Sequence, residues 1–183
     1  MPQELLKLKL QSLGALRPEA WEQIVQLRQQ QQIANGGNFI RREGALAYVA
    51  IGILKEYDHY EREEPTIVNF IGQNQCFVTR RHHQNRYLIA CTPTLIFHWN
   101  FAKLQDLYLK YPELRRVYEA LCEEYDEISA FRPLILEEHS AKARIRLFLN
   151  RYQALVPMLK KKDMAKYMQM SYNHFLKAYN HLI

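Results

Sequence analysis

At 183 residues and 48% hydrophobic content, the chain has enough material for one large domain or two small ones with a proper core. No apolar run reaches the ~18 residues of a membrane span, and MPQELLKLKLQSL at the start lacks a secretory signal's apolar core and cleavage site, so a cytoplasmic protein with no membrane partner is expected. The net charge of +6 favours an acidic partner, and the three widely spaced cysteines, Cys76, Cys91 and Cys122, form no CxxC pair, which points to free thiols and no metal or iron–sulfur set.

The first residues read as a short amphipathic helix. Pro18 sits where a second helix would start, with Trp21, Ile24, Val25 and Leu27 following at helical spacing. The Gln29–Gln32 run reads as surface at the start of a strand. From there to about His98 the pattern changes. Short stretches rich in β-branched and aromatic residues appear: Phe39-Ile40, Tyr48 to Ile51, Ile53 to Tyr57, Thr66 to Phe70, Tyr87 to Cys91 and Leu95 to Trp99. Turn residues separate them, and five of the six glycines fall here, with none after Gly72. Many short strands at regular spacing predict an antiparallel barrel or jelly roll.

Helical periodicity returns at Phe101, and Pro112 precedes a long helix predicted from Glu113 to about Phe131. Leu114, Tyr118, Leu121, Tyr125 and Ile128 alternate by four and three, with Glu113, Glu119, Glu123, Glu124 and Glu127 off that line. Such a seam serves either a helix laid on its own barrel or two helices paired across a dimer. The dimer interface is the sharper expectation. Pro133 is expected to break the helix and to divide 1–132 from 133–183.

From Ser140 onwards the cations are Lys142, Arg144, Arg146, Arg151, Lys160, Lys161, Lys162, Lys166 and Lys177, and the only acid is Asp163. A surface so charged suits phosphates. Asp163 to Met168 predicts a short helix with Met164, Ala165 and Met168 inward, and Gln169-Met170-Ser171 a turn. Ser171 can cap the next helix. Phe175, Ala178 and Tyr179 recur at packing spacing, leaving Tyr172, Asn173, His174 and Lys177 outward. This is the layout of a helix-turn-helix, whose second helix reads base edges in the major groove. The plainer alternative is a helical hairpin with a solvated cationic face. In the first case Lys160, Lys161, Lys162 and Lys166 anchor phosphates, Ser171 caps the reading helix, and Tyr172, Asn173, His174 and Lys177 face bases.

Taken in order, the elements resemble the Crp/Fnr superfamily of bacterial transcription regulators over nearly the whole chain. Gly36-Gly37, Arg42-Glu43-Gly44 and Ala50-Ile51-Gly52 are similar to the spaced glycine turns of a cyclic-nucleotide-binding-type roll. Ser140-Ala141-Lys142-Ala143-Arg144 is similar to the "SAxxR" step that begins the family's DNA-binding domain. Met164-Ala165-Lys166-Tyr167-Met168 stands where the family has an "IAxxL" helix, and Ser171 to Lys177 where it has its recognition helix. The general style is similar to members from the Bacteroidetes. The resemblance implies an α+β chain: an N-terminal antiparallel β-roll, a long dimerisation helix and a C-terminal helix-turn-helix domain. It implies a DNA-binding homodimer and no enzyme, with RNA polymerase as a further candidate partner. The sequence likewise offers no nucleophile–base pair or paired carboxylates for catalysis.

The chain departs from the pattern in places. Where the cyclic-nucleotide subgroup has a Gly-Glu pair and an Arg-Ser/Thr pair, this sequence has Gly72-Gln73-Asn74-Gln75-Cys76-Phe77 and then Gln84-Asn85-Arg86. Cyclic AMP in the usual mode is therefore not expected, and no cofactor is predicted. Arg80, Arg81, His82, His83 and Arg86 crowd one loop. They read either as an altered pocket for an unidentified anionic small-molecule effector, with Arg80, Arg81 and Arg86 as its ligands, or as a basic loop that is solvated or meets the acidic long helix. Gln169 replaces the glycine common at the turn, and Leu176-Lys177 a common Ser-Arg pair. The alternative function is a ligand-binding or protein-interaction module that kept the fold and lost DNA reading.

Overall fold

The computed structural model describes residues 1–60, 63–80, 83 and 85–182. Among these residues, eight strands make two four-stranded antiparallel sheets laid face to face. One runs in the order β1 (Gln29–Ile33), β8 (Thr94–Trp99), β3 (Leu46–Ile51), β6 (Cys76–Val78). The other runs β2 (Asn38–Phe39), β7 (Arg86–Ala90), β4 (Leu54–Asp58), β5 (Thr66–Ile71). Alternate side chains fall on opposite faces. Ala47, Val49, Phe77 and Ile96 from the first sheet thus meet Leu54, Ile71, Leu88 and Ala90 from the second in the inner core. Gly52 turns β3 into β4 at φ +91°, and a Cβ there would come within 2.6 Å of the Pro93 carbonyl oxygen, so the corner requires glycine.

The outer faces of both sheets are covered. Over the first lie α1 (Pro2–Leu13), α2 (Pro18–Leu27), α3 (Phe101–Lys110) and the first half of α4 (Glu113–Glu137). Their Leu6, Leu10, Ile24, Leu104 and Leu114 pack on Leu46, Tyr48, Phe97 and Trp99, and the Trp99 indole donates to the Ile24 carbonyl at 2.8 Å. Over the second lie α5 (Ala141–Arg151), α6 (Lys161–Tyr167) and α7 (Tyr172–Asn180). Ile67 and Phe70 of β5 join Phe148, Tyr152, Tyr167 and Phe175 there in one buried cluster. Tyr167 sits 5.5 Å from Phe70, 5.2 Å from Phe148 and 5.6 Å from Tyr152, ring centre to ring centre. Aromatic contacts of this kind contribute about 0.5–1.5 kcal/mol each beyond the area they bury. Lys55 of β4 adds a two-pronged ion pair to Asp163 of α6, at 2.9 and 3.0 Å. The helix-turn-helix is therefore fastened directly to its own roll.

Three sequence expectations are corrected here. The strand β6 was not foreseen, because three residues flanked by Gln73, Asn74 and Gln75 are too short to show a period. The long helix does not break at Pro133 but runs on to Glu137. A helix-interior proline costs about 3 kcal/mol. Anchors on both sides oppose that cost: Arg132 donates to the Tyr167 carbonyl at 2.8 Å and to Thr66 Oγ1 at 3.2 Å, and Ile135 is fully buried. Pro133 and Leu134 themselves lie on the exposed side. The third correction concerns the heptad seam. Leu114, Leu121, Tyr125 and Ile128 are all buried within the monomer, and half-buried Tyr118 rests against Tyr108 at 5.3 Å. The seam faces the chain's own roll, since a helix on a sheet and a helix on a helix both demand the same spacing.

Candidate nucleic-acid interface

α5 begins where Arg144 gathers three carbonyls. It donates to Glu138 at 2.6 Å, Leu136 at 3.2 Å and Met168 at 3.4 Å, tying the end of α4 to the end of α6. α6 presents Met164, Ala165 and Met168 to the core. It ends in a Schellman closure: the Met170 N–H reaches the Ala165 carbonyl at 3.0 Å, and the Gln169 N–H reaches Lys166 at 3.2 Å. Gln169 takes φ +52°, the left-handed region expected at this turn. The Ser171 hydroxyl then accepts the His174 N–H at 3.3 Å and caps α7. Phe175, Ala178 and Tyr179 are buried beneath α7. This leaves Ser171, Tyr172, Asn173, His174 and Lys177 exposed together along one side of its first two turns.

The predicted phosphate anchors flank that face. Lys160, Lys161 and Lys162 are exposed and Lys166 is half-buried. Lys161 Nζ stands 4.8 Å over the Tyr179 ring, Lys162 Nζ 5.8 Å over Tyr172, and Lys166 Nζ 5.6 Å over Tyr57 of the roll. Among the described residues none of these four lysines lies within ion-pair distance of a carboxylate. Their charge is directed at solvent or at a polyanion.

The predicted effector residues are placed differently. Arg80 is turned to Asp126 of α4 at 2.6 Å, so it meets the acidic long helix. Arg86 lies 3.8 Å from Glu56 and 3.7 Å from Asp58. Arg81 and His82 lie outside the described residues. Of the two readings of this loop, the contact with the acidic long helix is the one Arg80 makes, while Arg86 faces carboxylates of β4.

What the sequence reading missed is inside the roll. Glu56 of β4 is fully buried. Its Oε1 accepts both an Arg41 guanidinium N–H and the Tyr125 hydroxyl, the latter at 2.7 Å. Arg41 also donates to Thr79 Oγ1 at 3.1 Å, the Val78 carbonyl at 3.0 Å and the Tyr125 oxygen at 3.1 Å. His83 packs edge-on against Tyr125 at 5.8 Å. Burial pulls the Arg41 pKa down, but Tyr125 and Glu56 more than offset it and hold it above the ordinary value. Burial first, and then the Glu56 charge, push the Tyr125 phenol up. The triad is an ion pair beside a phenol that stays neutral, and it ties β4 and the end of β6 to the middle of α4. One signal was available: Lys55 and Glu56 are adjacent in a predicted strand, so alternation must turn one charge inward. A cavity of about 290 Å³ opens beside the triad, lined by Arg41, Thr79, His83, Arg86 and Tyr87 among others.

Among the described residues no group of three or more His, Cys, Asp and Glu could hold a metal ion, and no helix is long and apolar enough to cross a membrane. Burial pushes the Cys76 thiol up to about 12 and the Cys91 thiol up to about 11, so both are poor nucleophiles.

The roll, the long helix and the C-terminal helical module together share their fold with solved Crp/Fnr-type transcriptional regulators. FixK2 from Bradyrhizobium japonicum has it, with a TM-score of 0.69 at 12% identity over 85% of this chain and 84% of that one. So do CLP, a c-di-GMP-responsive global regulator of Xanthomonas campestris (0.67, 13%, 91% of each chain), and a protein from Eubacterium rectale assigned to the crp/fnr family (0.68, 10%, 91% and 83%). No protein-family model and no curated relative matches the sequence.

Proposed function

We propose that this chain is a DNA-binding transcriptional regulator that works as a homodimer. One observation carries the reading: a Ser-capped α7 exposes Tyr172, Asn173, His174 and Lys177 on one face, flanked by four lysines that have no acidic partner among the described residues. Asn173 suits adenine in the major groove, and Lys177 is a single point charge for guanine or phosphate. Lys160, Lys161, Lys162 and Lys166 set the register on the backbone. Two such modules would meet half-sites about one helical turn apart.

The pairing surface is not the foreseen seam, which is used internally. It is the opposite side of α4, where Arg116, Ala120, Glu123, Glu127, Ala130 and Leu134 recur by four and three. Cyclic AMP in the usual mode is not its effector, since Gln73 stands in place of a ribose-binding carboxylate and the inner carboxylate, Glu56, is engaged by Arg41 and Tyr125.

The test is selection of random duplex DNA on the purified protein at two salt concentrations, with no small molecule added. A palindromic motif is expected, with affinity that falls steeply as salt rises. Absence of binding at the lower salt would remove this reading in favour of a protein-interaction module.

A further inference from the structure

The helix-turn-helix does not end the cationic surface. α6 places Lys162 and Lys166 four residues apart on one face, about 6 Å along its axis. Lys162 stands over Tyr172 at the start of α7, and Lys166 over Tyr57 on the outer face of the roll. Tyr57 in turn is stacked flat on Tyr87, with ring centres 5.0 Å apart and planes 10° from parallel. Lys55 Nζ lies 5.5 Å from the same Tyr57 ring. From the reading helix to the sheet the row therefore runs from Tyr172 to Lys162, then one turn along α6 to Lys166, and on to Tyr57 and Tyr87. Asp163, on the same helix, is taken by Lys55, and among the described residues neither α6 lysine of the stripe has a carboxylate within ion-pair distance.

We propose that this stripe is one phosphate-tracking surface, and that duplex DNA held by α7 runs on past α6 to the part of the second sheet where Tyr87 is half-exposed, with Tyr87 contacting the backbone beyond the half-site. The inference rests on the DNA-binding reading above. Three properties fit a phosphate backbone. The cations are compact and their heads are held in place over rings. Tyr87, half-buried, carries a phenolic hydroxyl that can donate to a phosphate oxygen. Lys162 over Tyr172 also joins this row to the base-reading face, so one rigid polyanion can engage both. A protein ligand with acidic side chains would satisfy the charge but has no reason to engage α7 at the same time.

The experiment uses the full chain and random-sequence duplexes of two lengths. One is about 20 base pairs, enough for two half-sites a turn apart, and the other is extended by about one turn at each end. Tyr87→Lys and Tyr87→Glu are compared with wild type and with Lys177→Ala. On the long duplex, Tyr87→Lys should tighten binding about threefold and steepen the salt slope by about one, and Tyr87→Glu should weaken it by a similar factor. On the short duplex neither should move. Lys177→Ala should weaken both lengths. Equal effects of the Tyr87 variants on both duplexes, or no effect on either while Lys177→Ala still weakens binding, overturns the roll contact alone. Failure of wild type to bind either duplex overturns the helix-turn-helix reading and this inference with it. Unchanged melting temperatures for both Tyr87 variants establish that binding, and not folding, was altered.

Discussion

α4 and α7 are both amphipathic helices laid on their own chain, and they differ in what the uncovered side presents. α7 turns Tyr172, Asn173, His174 and Lys177 outward, which are hydrogen-bonding groups and a cation suited to a polyanion. α4 turns out a stripe of small and acidic residues, Glu123, Glu127 and Ala130, with Ala120 half-buried beside them. In a parallel two-fold pair each residue would approach its own copy, so that stripe brings like charges together. Spacing identifies the buried side of a helix. The chemistry of the other side identifies the partner.

Substitutions can break this comparison. The largest effect is expected from Glu56→Ala, which strands the Arg41 charge beneath α4 and should cost about 3–5 kcal/mol in urea melts. Next is Leu121→Ala, within the α4 seam. It should cost about 2–5 kcal/mol as a core cavity. If the seam is internal, the loss will not depend on protein concentration, whereas a concentration-dependent loss would restore the seam to a dimer. On α7, Lys177→Ala should leave stability within about 0.5 kcal/mol while lowering the salt slope of DNA binding by about one. Gln169→Gly relieves the left-handed turn between the two helices by about 1 kcal/mol, and should raise the melting temperature by about 2–4 °C. The smallest effect is on the acidic stripe. Glu123→Gln removes one like-charge contact and should tighten self-association by a few tenths of a kcal/mol, read by sedimentation at several concentrations.

The helix-turn-helix was legible because its signals are local. Ser171 caps, Gln169 turns, and Phe175, Ala178 and Tyr179 repeat within a dozen residues. The strands of the roll were legible for the same reason, apart from the three residues of β6. The Arg41–Glu56–Tyr125 triad was not, because its members lie 15 and 69 residues from Glu56 and only the sheet brings them together. The Arg80 and Arg86 loop left a pocket and a contact with the acidic long helix both open in sequence, and its carboxylate partners lie on α4 and β4 respectively. Pro133 misled because a local penalty was weighed without the anchors Arg132 and Ile135, whose partners include residues 66 and 167.

The cluster in which Phe70 meets Tyr167 and Phe175 also bears on how the protein is made. A ribosome working at about 5–20 residues per second delivers β5 several seconds before the last helices. Through that interval Ile67 and Phe70 have no cover, and the outer sheet is a sticky apolar surface. The chain must hold a nearly complete roll in a half-finished state, open to chaperones or to a neighbouring nascent chain, until residues 141–179 close it. Slowing translation across α5 to α7, or stopping it there, should therefore send this protein into aggregates far more readily than a stop placed before the roll begins.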